Sequence, residues 1–239
     1  MDIITESWLK NKVAVVTGGG SGIGAATVSS LTAHGADTVV IDIASGEVVP
    51  ERFIRADVTQ PGDVDKAKDE VMKRYGRVDI LVNSAGVTGR SAFVDMTVEE
   101  WQRVVQVNLF GTFLCCRAFA RIMLQQRSGI IINVASDRGL YGSDRAAHYA
   151  ASKGGVITLT KSIAKELRSH GVRVYAVNPG ATRTPLWERI HTEEEKKKVL
   201  ADGKMIADPK EIAGMILLLT RPESACLVGL VLSRDHLKG

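Results

Sequence analysis

The feature that most limits what this chain can fold into is an alternation of two apolar rhythms. Near-continuous runs of Val, Ile, Leu and Ala fall at residues 13–17, 38–43, 52–56, 78–83, 129–135, 172–178 and 226–232. Each has strand length and is apolar enough to be buried on both faces. Between most of them lie longer stretches with helical apolar spacing, at 22–34, 62–75, 97–127, 149–169 and 209–220. Alternating strands and helices imply parallel strands, right-handed crossovers and helices on both faces. The expectation is therefore an α/β fold: a doubly wound sheet of about seven parallel strands in a single domain over residues 1–239. Repeats, linkers and low-complexity tracts are missing from the sequence.

Two connections break the rhythm. Residues 44–51 leave little room for a crossover helix and include Gly46 and Pro50. Residues 179–209 are long, polar and weakly patterned, which predicts a lid or binding loop over about 185–208.

Composition excludes several classes of function. The net charge is only +4, and the one dense basic run, Lys196-Lys197-Lys198, follows Glu193-Glu194-Glu195. Such a block reads as a solvated helix face, and no nucleic-acid-reading motif accompanies it. Of the three cysteines, Cys115 and Cys116 are adjacent in a helical pattern and Cys226 lies in an apolar run. That spacing holds neither a metal nor a disulfide framework, so a reducing, cytoplasmic location is expected. No signal-like core opens the chain, and no run approaches the roughly 20 apolar residues of a bilayer span, so no membrane partner is expected.

The first run ends in Thr17-Gly18-Gly19-Gly20-Ser21-Gly22-Ile23-Gly24, followed by Ile23, Thr27 and Leu31 at helical spacing. Glycines allow a sharp turn and close ligand approach, and the helix N-terminus then offers free N–H groups to a pyrophosphate. Gly20, Gly22 and Ala25 also fit a Gly-x-Gly-x-x-Ala pattern. Asp42 ends the second run, 20 residues after Gly22. An acid at that place accepts hydrogen bonds from an adenosine ribose and repels a 2′-phosphate. With no Arg or Lys at positions 43 or 44, the preferred cofactor is NAD over NADP.

A second constellation carries proton transfer. Tyr149 and Lys153 are four apart at the start of a helical pattern, so phenol and ammonium share a face. A free phenol titrates near 10, too high for a base at neutral pH. A neighbouring ammonium and an oxidised nicotinamide would both stabilise the phenolate. Ser136 follows the run at 129–135, which places a hydroxyl at the C-terminal edge of the sheet, where open α/β sheets bind ligands.

These residues together resemble the short-chain dehydrogenases/reductases over nearly the whole chain. The resemblance rests on Thr17-Gly-x-x-x-Gly22-Ile-Gly24, Asp57-Val58, Asn83-Ser84-Ala85-Gly86, Asn108, Ser136, Tyr149-x-x-x-Lys153 and Pro179-Gly180-x-x-x-Thr184, in that order. It implies a Rossmann-type fold. It places Gly18, Ser21, Gly22, Ile23, Gly24 and Asp42 on the nucleotide, Asp57 and Val58 beside the adenine, and Asn83, Ala85 and Gly86 along the adenosine. Tyr149 becomes the general acid/base, Ser136 the group that holds the substrate oxygen, and Asn108 the holder of a water that relays protons to Lys153. Lys153 would also bind the nicotinamide ribose, with Pro179, Gly180, Thr182 and Thr184 on the carboxamide. A homotetramer or dimer through the helices at 97–127 and 149–169 is implied as well. Ser84 departs from the family's second Asn, and Leu232-Ser233-Arg234-Asp235-His236 departs from its usual closing turn.

The activity so implied is NAD-dependent hydride transfer between the nicotinamide and a small secondary alcohol or ketone. The alternatives are NADP-dependent reduction of a 3-oxoacyl-type ketone, and a dinucleotide-binding protein without catalysis. A methyltransferase would share the glycine turn but has no use for the Tyr/Lys pair. Candidate substrate residues are Arg138, Tyr141 and Trp187, with Val87, Arg90, Asp137 and His148 as further pocket positions. His148 precedes Tyr149 and so points about 100° away on a helix.

Overall fold

The computed structural model describes residues 7–46, 50–201 and 206–234. Seven parallel strands form one sheet: β1 Val13–Thr17, β2 Asp37–Asp42, β3 Phe53–Arg55, β4 Ile80–Asn83, β5 Gly129–Val134, β6 Val172–Asn178 and β7 Val231–Ser233. Their order is β3-β2-β1-β4-β5-β6-β7. The chain winds outward from β1 in one direction, then returns to β4 and winds in the other. The reversal opens a crevice at the C-terminal ends of β1 and β4, where such sheets bind ligands.

Strand periodicity explains the two cores. Val13 and Val15 pack on one face with α2 (Pro61–Tyr75) and the long helix α3 (Val98–Gln126). Ala14 and Val16, one residue out of phase, pack on the other face with α1 (Gly22–Ala33) and a late helix, Pro209–Thr220. Full burial of each Val, Leu or Ile stabilises the fold by roughly 1.5–3 kcal/mol, so the register leaves little freedom to slip.

Helix α3 is interrupted at Gln106–Phe110 by a π-helical turn, which places Asn108 at the distortion. By length and composition alone α3 is long and apolar enough to cross a membrane, contrary to the expectation from the sequence. Most of its apolar stretch, 61%, is instead buried within the fold. After β5 come a single helical turn, α4 (Arg138–Tyr141), and the 21-residue α5 (Ala147–Leu167).

One expectation holds and two change. The second crossover is reduced as predicted, to one 3₁₀ turn at Pro50–Arg52 among the described residues. The stretch after β6 is not weakly structured. It holds α6 (Pro185–Ile190) and α7 (Glu193–Ala201) before α8 (Pro209–Thr220), while residues 202–205 of the expected lid lie outside the described residues. Thr184 caps α6 by accepting from the Trp187 N–H at 3.1 Å, and at the start of α7 the Glu195 N–H donates to Thr192 Oγ1 at 3.2 Å while the Thr192 N–H donates to Glu195 Oε2 at 3.0 Å. These caps give a polar segment helices that its apolar pattern does not show. Finally, the strand expected at 226–232 is confined to Val231–Ser233. Pro222–Leu227 is a 3₁₀ helix, and Gly229 takes φ +86° to turn the chain into the sheet edge. Asp235 and His236 of the atypical ending lie outside the described residues.

Candidate active site

A cavity of about 620 Å³ occupies the crevice. Gly18, Ser21, Gly22, Ile23, Asp42, Asp57 and Val58 line one end, and Ser136, Arg138, Tyr149, Lys153 and Trp187 the other. Ala85, Gly86, Pro179, Gly180, Thr182 and Thr184 line the span between.

The glycine turn is built for a phosphate. Gly18 takes φ +66°, and its main chain passes so close to Ala85 that any side chain would collide with it. Gly24 does not line the cavity. A side chain there would strike the Gly18 carbonyl, so this glycine lets helix pack on turn. Ser21 is the N-cap of α1, and its side chain makes no capping bond. The first-turn N–H groups therefore face the cavity with the helix's partial positive charge behind them.

Asp42 holds this turn from below. Its Oδ2 accepts from the Gly20 N–H at 3.0 Å and its Oδ1 from the Ile43 N–H at 2.7 Å. A carboxylate has about four acceptor sites, so it retains capacity for a ribose hydroxyl. The sequence from 43 to 51 contains Glu47 and Glu51 and no Lys or Arg. The residues of the cavity therefore fit a nicotinamide dinucleotide.

At the other end, α5 delivers Tyr149 and Lys153 to one face, as their spacing predicts. The Lys153 ammonium lies 5.8 Å from the centre of the Tyr149 ring and donates to the Val134 carbonyl at 2.7 Å. Burial pulls this lysine down to about 8. Burial pushes the Tyr149 phenol upward; the Ser136 hydrogen bond and the Arg138 charge oppose the rise, and the Asp137 charge adds to it. Burial thus opposes the phenolate that the Tyr/Lys pair by itself would favour.

Ser136 stands two residues beyond the end of β5, 6% exposed. Its hydroxyl donates to Asp137 Oδ1 at 3.0 Å and accepts from the Arg138 N–H at 3.2 Å. Asn108 sits behind the cavity wall, fully buried. Its Oδ1 accepts from the Val87 N–H at 2.8 Å, and its two amide protons go to the Val87 carbonyl at 2.9 Å and Ser152 Oγ at 3.0 Å. Both amide protons are engaged, so the side chain clamps the loop after β4 rather than donating to a water. Its main-chain carbonyl, at the π turn, accepts from Thr112 Oγ1 at 2.7 Å.

Besides Gly24, four expected positions lie outside the cavity: Asn83, Tyr141, Arg90 and His148. Asn83 does not line the cavity. It lies inside the sheet, donating to Asn133 Oδ1 at 2.8 Å, because the last residue of β4 points across to β5. Tyr141 is 78% exposed and outside the cavity, since the single turn α4 directs it to solvent. Arg90 is not a lining residue either and pairs with Glu195 of α7. His148 is buried beside Gly89, away from the cavity as its helical position requires. Trp187 and Arg138 do line it, and Trp187 stacks on His191 at 4.7 Å. Ile43 and Val107 line the cavity without any sequence signal, being apolar residues whose neighbours are set only by the fold. Among the described residues no group of three or more His, Cys, Asp or Glu side chains is placed to hold a metal.

A glycine-rich βα turn, an acid at the end of β2, and a Ser/Tyr/Lys set facing one cavity define a dinucleotide-linked oxidoreductase site. The family model for short chain dehydrogenases matches residues 12–195, and the chain belongs to that family. It is 38% identical to a 3-oxoacyl acyl-carrier-protein reductase of Synechocystis, over 95% of this chain and 96% of that one. It is 36% identical to an enzyme of the same name from Thermotoga maritima, over 95% of this chain and 97% of that one. The crystal structure of the protein gox2181 superposes with a TM-score of 0.91 at 32% identity, covering 96% of each chain.

Proposed function

We propose that this protein reduces a 3-oxoacyl-type ketone to the secondary alcohol with NADH, using Tyr149 as the proton donor. The observation that carries the chemistry is the convergence of Ser136, Tyr149 and Lys153 on the cavity that also contains the glycine turn and Asp42. The substrate class is supported by the names of the two reductases above, which favour a 3-oxoacyl ketone over a small free alcohol. The apolar wall of Val87, Leu186, Trp187 and Ile190 suits an acyl chain. The cofactor is supported by Asp42 and by the run from 43 to 51 without a cation.

When bound, the reduced nicotinamide supplies a hydride. The protein's part is to hold the ketone oxygen between Ser136 Oγ and the Tyr149 hydroxyl. Tyr149 gives up its proton as negative charge grows on that oxygen, and Lys153 stabilises the resulting phenolate. Lys153 recovers the proton balance. Asn108 keeps Val87 fixed, which keeps the cavity wall in register with Tyr149.

The test follows nicotinamide absorbance with NADH or NADPH and a short 3-oxoacyl thioester, and in reverse with a panel of secondary alcohols. Turnover should be largest with NADH and the thioester. Tyr149→Phe should abolish it while dinucleotide binding, measured by calorimetry, is retained. A variant that turns over like the parent would refute the role of Tyr149, and a clear preference for NADPH would refute that of Asp42.

A further inference from the structure

We propose that Arg138 is an anion anchor at the ketone end of the cavity and gives the protein a further activity, the reduction of unesterified 3-oxo carboxylates, whose carboxylate it holds beside the reacting carbonyl. The inference rests on the 3-oxoacyl reading above and extends it from the thioester to the free acid.

Arg138 opens α4, two residues after Ser136, and is half-buried in the cavity wall that Ser136 and Tyr149 also line. Its place is fixed from two sides. Asp137 Oδ1 accepts its main-chain N–H at 2.8 Å. Next along the chain, the backbone of Gly139 lies against that of Lys153 and Gly154. A β-carbon on residue 139 would sit 2.7 Å from the Lys153 carbonyl carbon and from the Gly154 nitrogen. The turn that carries Arg138 is therefore packed backbone to backbone on the helix that carries Tyr149. The guanidinium charge reaches the Tyr149 phenol, where it favours the phenolate.

Among the described residues that guanidinium has no hydrogen-bond or ion-pair partner; the bonds of Arg138 are made by its main chain. The charges around it are otherwise engaged. Lys153, the other lysine or arginine among the described lining residues, donates to the Val134 carbonyl at 2.7 Å. His191 Nδ1 lies 2.8 Å from the Trp187 carbonyl. Arg90 is outside the cavity and pairs with Glu195. Asp137 directs Oδ1 to the Ser136 hydroxyl and the Arg138 N–H, and Asp42 and Asp57 line the nucleotide end. A guanidinium carries five N–H donors in a planar fork that matches a carboxylate. At Arg138 these donors face the cavity with no acceptor from the protein.

A 3-oxo carboxylate supplies the acceptor where it is needed. One methylene separates its carboxylate from the ketone carbon. With the ketone oxygen between Ser136 and Tyr149, the charged end belongs beside the turn that Ser136 shares with Arg138. The reaction balances as for the thioester. The carbonyl carbon gains the hydride of the reduced nicotinamide, the oxygen gains the Tyr149 proton, and the carboxylate stays ionised throughout.

The experiment compares 3-oxobutanoate with its methyl ester by nicotinamide absorbance. Arg138 also acts on Tyr149, but that effect is common to both ketones and cancels in the ratio of their kcat/KM values. In Arg138→Gln the ratio of acid over ester should fall about tenfold or more. Arg138→Lys should restore part of it, having the charge without the fork. Arg145→Gln removes an exposed cation from the same loop, outside the cavity, and should leave the ratio within about twofold. In a Tyr149→Phe background saturated with NAD, calorimetry with 3-oxobutanoate reads the same contact without chemistry, and Arg138→Gln should weaken binding by a similar factor. A parent that reduces the ester but not the acid overturns the proposal and leaves the reductase reading standing. So does an unchanged ratio in Arg138→Gln, or an equal fall in Arg145→Gln. If no ketone is reduced but Arg138→Gln weakens binding, the reductase reading fails and the anchor stands; if the acid neither reacts nor binds, both fail.

Discussion

The two edges of the sheet treat buried charge in opposite ways. At the N-terminal edge, beside β4, Asp79 is 6% exposed and fully partnered. It accepts from the Val13 N–H at 3.0 Å, from Arg77 through two nitrogens at 2.8 and 2.6 Å, and from Lys12 at 3.3 Å. Burial alone would raise its carboxyl, but these donors hold it below its usual value. At the C-terminal edge, Lys153 is 5% exposed and donates only to a neutral carbonyl, so burial wins and its affinity for a proton falls. One edge uses charge to join two segments, residues 12–13 and 77–79; the other keeps charge under-compensated, which is the condition a proton-transfer site needs.

The comparison breaks first at Lys153. Replacing it with Met should lower turnover by about 10²–10⁴-fold. Stability should not fall, and should gain up to about 2 kcal/mol at pH 7, because a poorly compensated buried cation is removed. The sign follows from proton counting. The unfolded lysine titrates at 10.5 and the folded one at about 8. Between those values the unfolded chain binds more protons, so stability rises with pH across that window in the parent and not in the variant. Urea unfolding at pH 7 and 10 measures this; a large loss of stability in the variant would erase the contrast.

Asp79→Ala should do the reverse. It leaves the Val13 N–H without a partner, while Arg77 and Lys12 can turn to water, so the loss is about 1–3 kcal/mol. Turnover of the folded protein should be unchanged. Because the folded carboxyl lies below its usual value, its contribution is present above the unfolded value and vanishes as pH falls through the folded one. Parent and variant should therefore converge in stability at strongly acid pH.

Asp42→Ala sharpens the comparison within the C-terminal edge, where a carboxylate holds the turn and is proposed to hold a ribose as well. The Gly20 N–H and a ribose would each lose an acceptor, and the ratio of kcat/KM for NADH over NADPH should fall about tenfold. The smallest effect is expected at Arg90. The segment after β6 is tied at its base, where Ala207 N–H donates to Ala181 at 2.8 Å and Arg183 N–H to Ala207 at 2.9 Å. Its outer part is fastened by Arg90 to Glu195, a pair about one-third exposed. Arg90→Ala should raise KM for the ketone two- to threefold at most, since such pairs contribute under about 1 kcal/mol. Steady-state kinetics at low and high salt test this.

The sequence by itself determined the sheet. Strand-length apolar runs that must be covered on both faces admit little else, and all seven strands appear in parallel. It also determined the turn chemistry at Gly18 and Gly22 and the shared face of Tyr149 and Lys153, because these depend on local geometry within one turn of chain. Only the tertiary structure decided the rest. Asn83 turned inward to Asn133, Asn108 became a clamp on Val87, and the polar run after β6 became two capped helices. It also decided that burial pushes the Tyr149 phenol upward, between a turn bearing Asp137 and Arg138 and a lysine weakened by burial. Spacing along a chain fixes which side chains share a helix face. Desolvation and charge at a site depend on segments far apart in sequence, and those meet only when the fold is complete.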